Sequence, residues 1–150
     1  PYPNQRAGVS YGLYGSPVQV GFMFNPTPNG PNDDSSAVSG FAGDTEFDID
    51  RGFFSAPFNV TITSSTPGAI IRYTTDGSWP SETDGTVYTG PVFIDRTIPL
   101  RAIAYQSGFV ASNVDTQTYI FVDNVVTQNP STTQSVWGFP SSWVEAAHAA

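Results

Sequence analysis

Asp44, Glu46, Asp48 and Asp50 alternate with Thr45, Phe47 and Ile49, so on an extended chain the four carboxylates share one face. Carboxylate oxygens are the hard ligands that Ca²⁺ takes, and Asp76, Ser78, Glu82 and Asp84 make a second oxygen-rich group within one loop. That loop lacks the D-x-D-x-D-G order of an EF-hand, and an acidic row also keeps a strand edge from pairing wrongly. The expectation is no cofactor, with calcium as the one that the ligand types admit. Trp79 stands in the same loop, where an exposed indole would stack on a sugar ring or anchor a protein interface. The alternative is an indole packed on Pro80 and its own loop. Tyr88 and Tyr105 are the further candidates for such a contact, with a partner or a glycan. Asn59-Val60-Thr61 is an N-glycosylation sequon on the polar face of a strand, a triplet that is also common by chance. Catalysis has little to draw on: the sole histidine, His148, lies in an Ala-rich tail, and no pair among the 13 acids stands out as a glycosidase dyad. No enzymatic activity and no catalytic residues are expected.

Composition narrows the classes further. Charged residues are 12% of the chain, against about 25% in an ordinary soluble domain, while Gly (14) and Pro (13) are abundant. A helical bundle or coiled coil needs Ala, Leu, Glu and Lys; this balance favours short strands joined by turns. The net charge is −8 and all 5 basic residues are arginines. No basic stripe can form from them, which excludes nucleic acid as a partner. Without cysteine there are no disulfides, thiolate zinc sites or cysteine nucleophiles. A cysteine-free, Ser/Thr-rich acidic surface suits a bacterial protein that is secreted or on the cell surface. No apolar run approaches the roughly 18–20 residues that span a bilayer, so no membrane insertion is expected. The chain opens at Pro1 rather than an initiator Met, as a processed product or a piece of a longer protein would.

The elements that must position these residues fall into three zones. Residues 1–43 form an arm dense in turn signals, with one strand over Val18 to Phe24 and a polar linker from Asp33 to Gly40. Val18, Val20, Phe22 and Phe24 are its candidate assembly residues, because a lone strand is unstable in water and must dock on something. Residues 44–123 carry period-two alternation. Phe58, Val60 and Ile62 share one face, as do Ala69, Ile71 and Tyr73, and Leu100, Ala102 and Ala104. About seven short strands with turns every 8–12 residues predict an all-β fold, an immunoglobulin-like antiparallel β-sandwich with irregular N- and C-terminal arms. Residues 124–150 are loop-rich, with an aromatic knot of Trp137, Phe139 and Trp143 that needs a surface to cover it. Ser142 and Glu145 fit a capping box for a short terminal helix.

Phe53-Phe54-Ser55-Ala56-Pro57-Phe58, Thr66-Pro67-Gly68-Ala69, Ile71-Arg72-Tyr73-Thr74-Thr75-Asp76-Gly77-Ser78, Tyr88-Thr89-Gly90-Pro91 and Leu100-Arg101-Ala102-Ile103-Ala104-Tyr105 together carry a resemblance. With the closing Thr116-Gln117-Thr118-Tyr119, they resemble the chitobiase/β-hexosaminidase C-terminal domain, also called the fibronectin type III-associated domain, over roughly residues 46–121. Asn4 to Gly12, with Phe24-Asn25-Pro26-Thr27-Pro28 and Asn32, resembles the end of a lamin-tail-like domain. Large secreted surface proteins of planctomycete-type bacteria place such an end before this sandwich. The resemblance implies an accessory sandwich with no catalytic residues to carry over. Two functions follow as expectations. One is a structural or adhesive module of a cell-surface or filament-like assembly, whose arms pack on copies of itself or on neighbouring domains. The other is a carbohydrate-binding accessory module beside a secreted glycoside hydrolase or surface protein, with polysaccharide as partner.

Overall fold

The computed structural model describes residues 3, 6–23, 27, 29–32 and 37–123. Expectations resting on Phe24, Trp137, Phe139, Trp143, His148 and the Ser142–Glu145 capping box lie outside the described residues. The strands, in chain order, are β1 (Ser10–Tyr14), β2 (Gln19–Met23), β3 (Ala37–Val38), β4 (Gly40–Phe41), β5 (Thr45–Phe47), β6 (Gly52–Phe54), β7 (Phe58–Val60), β8 (Ile62–Ser64), β9 (Ile70–Thr74), β10 (Thr86–Val87), β11 (Val92–Ile94), β12 (Ile98–Tyr105), β13 (Phe109–Val110) and β14 (Asp115–Phe121).

Two layers make the sandwich. In the smaller, β7 and β8 follow one another along the chain, β5 pairs with β8, and β11 pairs with β7. The larger is a five-stranded sheet in the order β10-β9-β12-β14-β6. Period-two alternation decides which side chains meet between them. Val60, Ile62 and Ile94 from the smaller layer and Leu100, Ala102, Ala104 and Tyr119 from the larger are all buried in one core. Each buried Val, Leu or Ile contributes about 1.5–3 kcal/mol relative to exposure. The small side chains Ala102 and Ala104 leave room for the facing layer. Tyr119 is large and polar-tipped, and its hydroxyl donates to the Ile49 carbonyl at 2.7 Å, so burial leaves no orphaned group.

Most pairings are antiparallel, as alternation predicts, but β14–β6 and β13–β4 are parallel. The first arises because the chain crosses layers after β5: Thr45–Phe47 belongs to the smaller layer and Gly52–Phe54 to the larger. The crossover is stitched by Asp48, whose backbone N–H donates to the Thr61 carbonyl and whose Oδ1 accepts the Thr61 N–H at 2.7 Å.

The arm holds more strand than its sequence suggests. β2 lies within the expected Val18–Phe24 strand, and it pairs antiparallel with β1, a stretch whose Gly12 and Tyr14 mask the alternation. The face bearing Gly12 and Gly21 is tight at Gly21, where a Cβ would lie 2.8 Å from the Tyr14 ring, whereas at Gly12 the Met23 methyl is at an ordinary contact distance of 3.6 Å. The polar linker also contains two short strands. β3 pairs with β2, and β4 pairs with β13 of the sandwich. Phe22 is buried between Tyr11 and Phe41, with ring centroids 4.9 and 4.8 Å away. The Arg6 guanidinium lies 4.8 Å from the Phe41 ring centroid, donates to the Ala111 carbonyl at 3.0 Å and pairs with Asp44 at 3.1 Å. The hairpin is thus rooted on its own sandwich.

Candidate functional site

The loop between β9 and β10 builds the most distinctive surface of the described chain. It opens with an Asx turn: the Asp76 Oδ1 accepts the Ser78 N–H at 2.9 Å and the Ser78 hydroxyl at 2.6 Å. These bonds, the hydroxyl's first, hold the Asp76 carboxyl below the ordinary aspartate range. The Thr74 hydroxyl donates to the Ser78 carbonyl at 2.7 Å and ties the turn to the end of β9. Pro80 is fully buried, which anchors the middle of the loop and turns its neighbour Trp79 outward, 65% exposed. A second turn closes the loop, with the Ser81 hydroxyl donating to Asp84 Oδ2 at 2.7 Å. Hydrogen bonds from Ser81 and then Thr83, with a smaller pull from the Arg72 charge, keep the Asp84 carboxyl low as well.

Both ends of this loop are held from the outer face of the five-stranded sheet. Arg101 and Arg72 occupy the outward positions of β12 and β9, opposite in parity to Leu100, Ala102 and Ile71. The Arg101 Nη1 donates to the Gly77 carbonyl at 2.8 Å, and its guanidinium carbon lies 4.9 Å from the centroid of the Trp79 ring. The Arg72 Nη1 donates to the Gly85 carbonyl at 2.7 Å and its Nε to the Tyr105 hydroxyl at 3.1 Å. Gly77 and Gly85 have φ of 84° and 96°, backbone that glycine adopts without strain. Each therefore turns a carbonyl onto one arginine. The result is a fixed strip on an open face: Trp79 over Arg101 at one end, Arg72 under Tyr105 at the other. Ile70 and Val87 stand exposed beside it.

The structure brings two of the three aromatic candidates to this face. Trp79 stacks on Arg101, and Tyr105 closes the far end. Tyr88 does not join them. Its ring packs on the core beside Tyr73, and its hydroxyl accepts the Ile62 N–H at 3.1 Å, which satisfies an amide of the smaller layer. Arg72 and Arg101 sit in no motif that marks them as site residues in the sequence. Their signal was present: Ile70, Arg72 and Thr74 form the outward set of a strand whose other face is core.

The acidic candidates are dispersed. Asp44 accepts from Arg6 and from the Asn113 N–H, both at 3.1 Å, and Asp48 accepts from Thr61. Glu46, on β5 opposite Thr63, and Asp50 both border one open depression, which Arg51, Asp115 and Gln117 also line. Asp76 and Asp84 bond hydroxyls of their own loop, and Glu82 lies exposed between them. Among the described residues no three acidic or histidine side chains gather into a set that could hold a metal ion. Asn59 is exposed on β7 opposite Phe93. Of the arm candidates, Val18 and Val20 are exposed and Phe22 is buried.

Residues 60–119 match the model of the family described as Fn3 associated. No curated protein and no solved structure matches the chain. The matched residues run from the end of β7 into β14, and over them the chain is similar to the Fn3-associated, chitobiase C-terminal type of domain.

Proposed function

We propose that the chain is a non-catalytic accessory module of a bacterial extracellular or cell-surface assembly, which packs on copies of itself or on neighbouring domains through its N-terminal arm. The observation that carries this reading is the β1–β2 hairpin. Its root is fixed to the sandwich, while Leu13, Val18 and Val20 at its free end are 60%, 69% and 57% exposed. Leu13 and Val20 are direct cross-strand partners on the face that continues to buried Phe22. An anchored projection with an apolar end is a device for contact with another surface. Support for the non-catalytic part comes from the carboxylates. Asp44, Asp48, Asp76, Asp84 and Asp115 are committed to amides, hydroxyls or an arginine that hold the fold. The test is light scattering across a wide concentration range. The expected result is a mass above that of one chain at high concentration, reduced to one chain by Leu13→Ser with Val20→Thr. A single chain at every concentration overturns the reading.

A second reading, a carbohydrate-binding accessory module, is favoured by the Trp79 face. An exposed flat indole held rigidly on an open sheet face suits stacking against a sugar ring. Retention by immobilised polysaccharide, lost on Trp79→Ala, is the expected result.

A further inference from the structure

We infer that the Trp79–Arg101–Arg72 strip binds a carboxylate-bearing polysaccharide, a chain of uronic acid residues. The inference rests on the polysaccharide reading of this face and supplies its ligand class.

Charge carries the argument. The chain has 13 acids against 5 arginines, so an arginine side chain has no shortage of carboxylates. Among the described residues, Arg6 pairs with Asp44 and Arg96 with Asp95. Arg72 and Arg101 make no ion pair within the described residues; their partners are two glycine carbonyls, a phenol and an indole. The nearby loop acids, Asp76 and Asp84, take their hydrogen bonds from the hydroxyls of Ser78, Ser81 and Thr83, and Arg72 acts on Asp84 only as a smaller pull of charge. No aspartate or glutamate occupies an outward position of β6, β9, β10, β12 or β14. The outward face of the strands therefore carries two arginines and no carboxylate, with Asp76, Glu82 and Asp84 confined to the flanking loop, and these guanidinium groups are what the face offers a negative group.

Geometry adds to charge. An arginine side chain carries about 2 kcal/mol of rotamer entropy. Here neutral partners have already fixed it, so a carboxylate that arrives does not bear that cost. Arg101 pairs with Thr74 and Ile103 with Arg72, so the two guanidinium groups lie diagonally across the β9–β12 ladder. Arg101 covers one side of the indole and leaves a flat apolar platform beside two fixed cations. The C–H face of a pyranose would lie on the indole while its carboxylate, or that of the next sugar, meets a guanidinium. The strip has one indole at one end and two arginines along it, which fits a single polymer strand better than the roughly 800 Å² per partner of a stable protein interface.

The experiment uses the full chain with polygalacturonate and with the same polymer fully methyl-esterified, which keeps the sugars and removes the charge. We expect polygalacturonate to bind at least about tenfold more tightly, the scale of one charged hydrogen bond. Binding should weaken as salt rises from about 0.05 to about 0.5 M. Arg72→Gln and Arg101→Gln should each lose about tenfold, Arg101→Lys less, and Trp79→Ala most, with melting curves showing that every variant is folded. Equal binding of both polymers, unmoved by the arginine substitutions, overturns the charge selection and leaves the polysaccharide reading standing. Binding of neither polymer overturns the uronic acid proposal, while the polysaccharide reading stands or falls on its own retention test. Self-association lost on Arg101→Gln with no polymer bound overturns the proposal in favour of a protein partner.

Discussion

Arg72 and Tyr105 meet across the β9–β12 ladder, Nε donating to the phenol oxygen at 3.1 Å, and the same guanidinium reaches back to the Gly85 carbonyl. One side chain thus fixes both the rim of the sheet face and the end of the Trp79 loop. A loop that would otherwise move independently becomes part of the sheet.

Gly85 is where that arrangement is most exposed to substitution. Its φ is 96°, and a Cβ there would lie 2.9 Å from the Tyr73 carbonyl oxygen, a backbone atom of β9. Gly85→Ala is expected to lower stability by about 1–3 kcal/mol, from left-handed strain plus the displaced contact. Urea denaturation measures it; an unchanged midpoint would show that this approach is not as close as described.

Ser112 is buried, and its hydroxyl accepts the Ala104 N–H at 2.9 Å while donating to the Asn113 carbonyl at 2.7 Å. Ser112→Ala leaves the Ala104 amide without its acceptor in the core. A loss of about 1–3 kcal/mol follows, together with faster exchange of the Ala104 amide hydrogen.

Burial, with a smaller effect from Asp48 and Asp50, pushes the Tyr119 phenol up to about 12 from an ordinary value of 10.0. A folded value above the unfolded one means stability is intact below pH about 10 and is lost as pH rises towards about 12, because the unfolded chain ionises first. Tyr119→Phe should be less stable at neutral pH for want of the Ile49 hydrogen bond. The gap between parent and variant should then narrow over that alkaline window. A constant gap in parallel pH titrations of unfolding would contradict the assignment.

Arg6→Gln removes the ion pair with Asp44 and the cover over Phe41. A partly exposed pair is worth at most about 1 kcal/mol, so global stability should hardly change. Local opening should. Amide exchange at Ser39 and Ala42, which donate to Gly108 and Val110, should accelerate while the core amides stay protected. Acceleration throughout the sandwich would instead show that the arm and the core unfold as one.

Local alternation made the sandwich readable. Val60, Ile62, Leu100, Ala102 and Ala104 are all buried as their period-two spacing predicts, because that spacing alone assigns a side chain to a face. What the sequence hid is non-local. The β14–β6 and β13–β4 pairs join stretches of three and two residues across long separations, and no residue in them marks its partner. β1 was hidden by Gly8, Gly12 and Gly15, which read as turns although Gly12 lies inside the strand opposite Gly21. At the site, Trp79 was conspicuous by type. The arginines became meaningful only once their partners proved to be carbonyls and rings rather than carboxylates.

The parallel pair β6–β14 has a mechanical consequence. Tension applied along the chain pulls Gly52 towards one end of the molecule and Phe121 towards the other, and these strands run side by side in the same direction. The pull lies along the strands and across their hydrogen bonds, so the bonds of that ladder must rupture together rather than unzip one after another. Phe54, with ring centroids 5.6 Å from Tyr119 and 6.3 Å from Phe121, resists the same slide by interlocking with the core. A sandwich loaded in this way acts as a shear clamp and keeps its length under load.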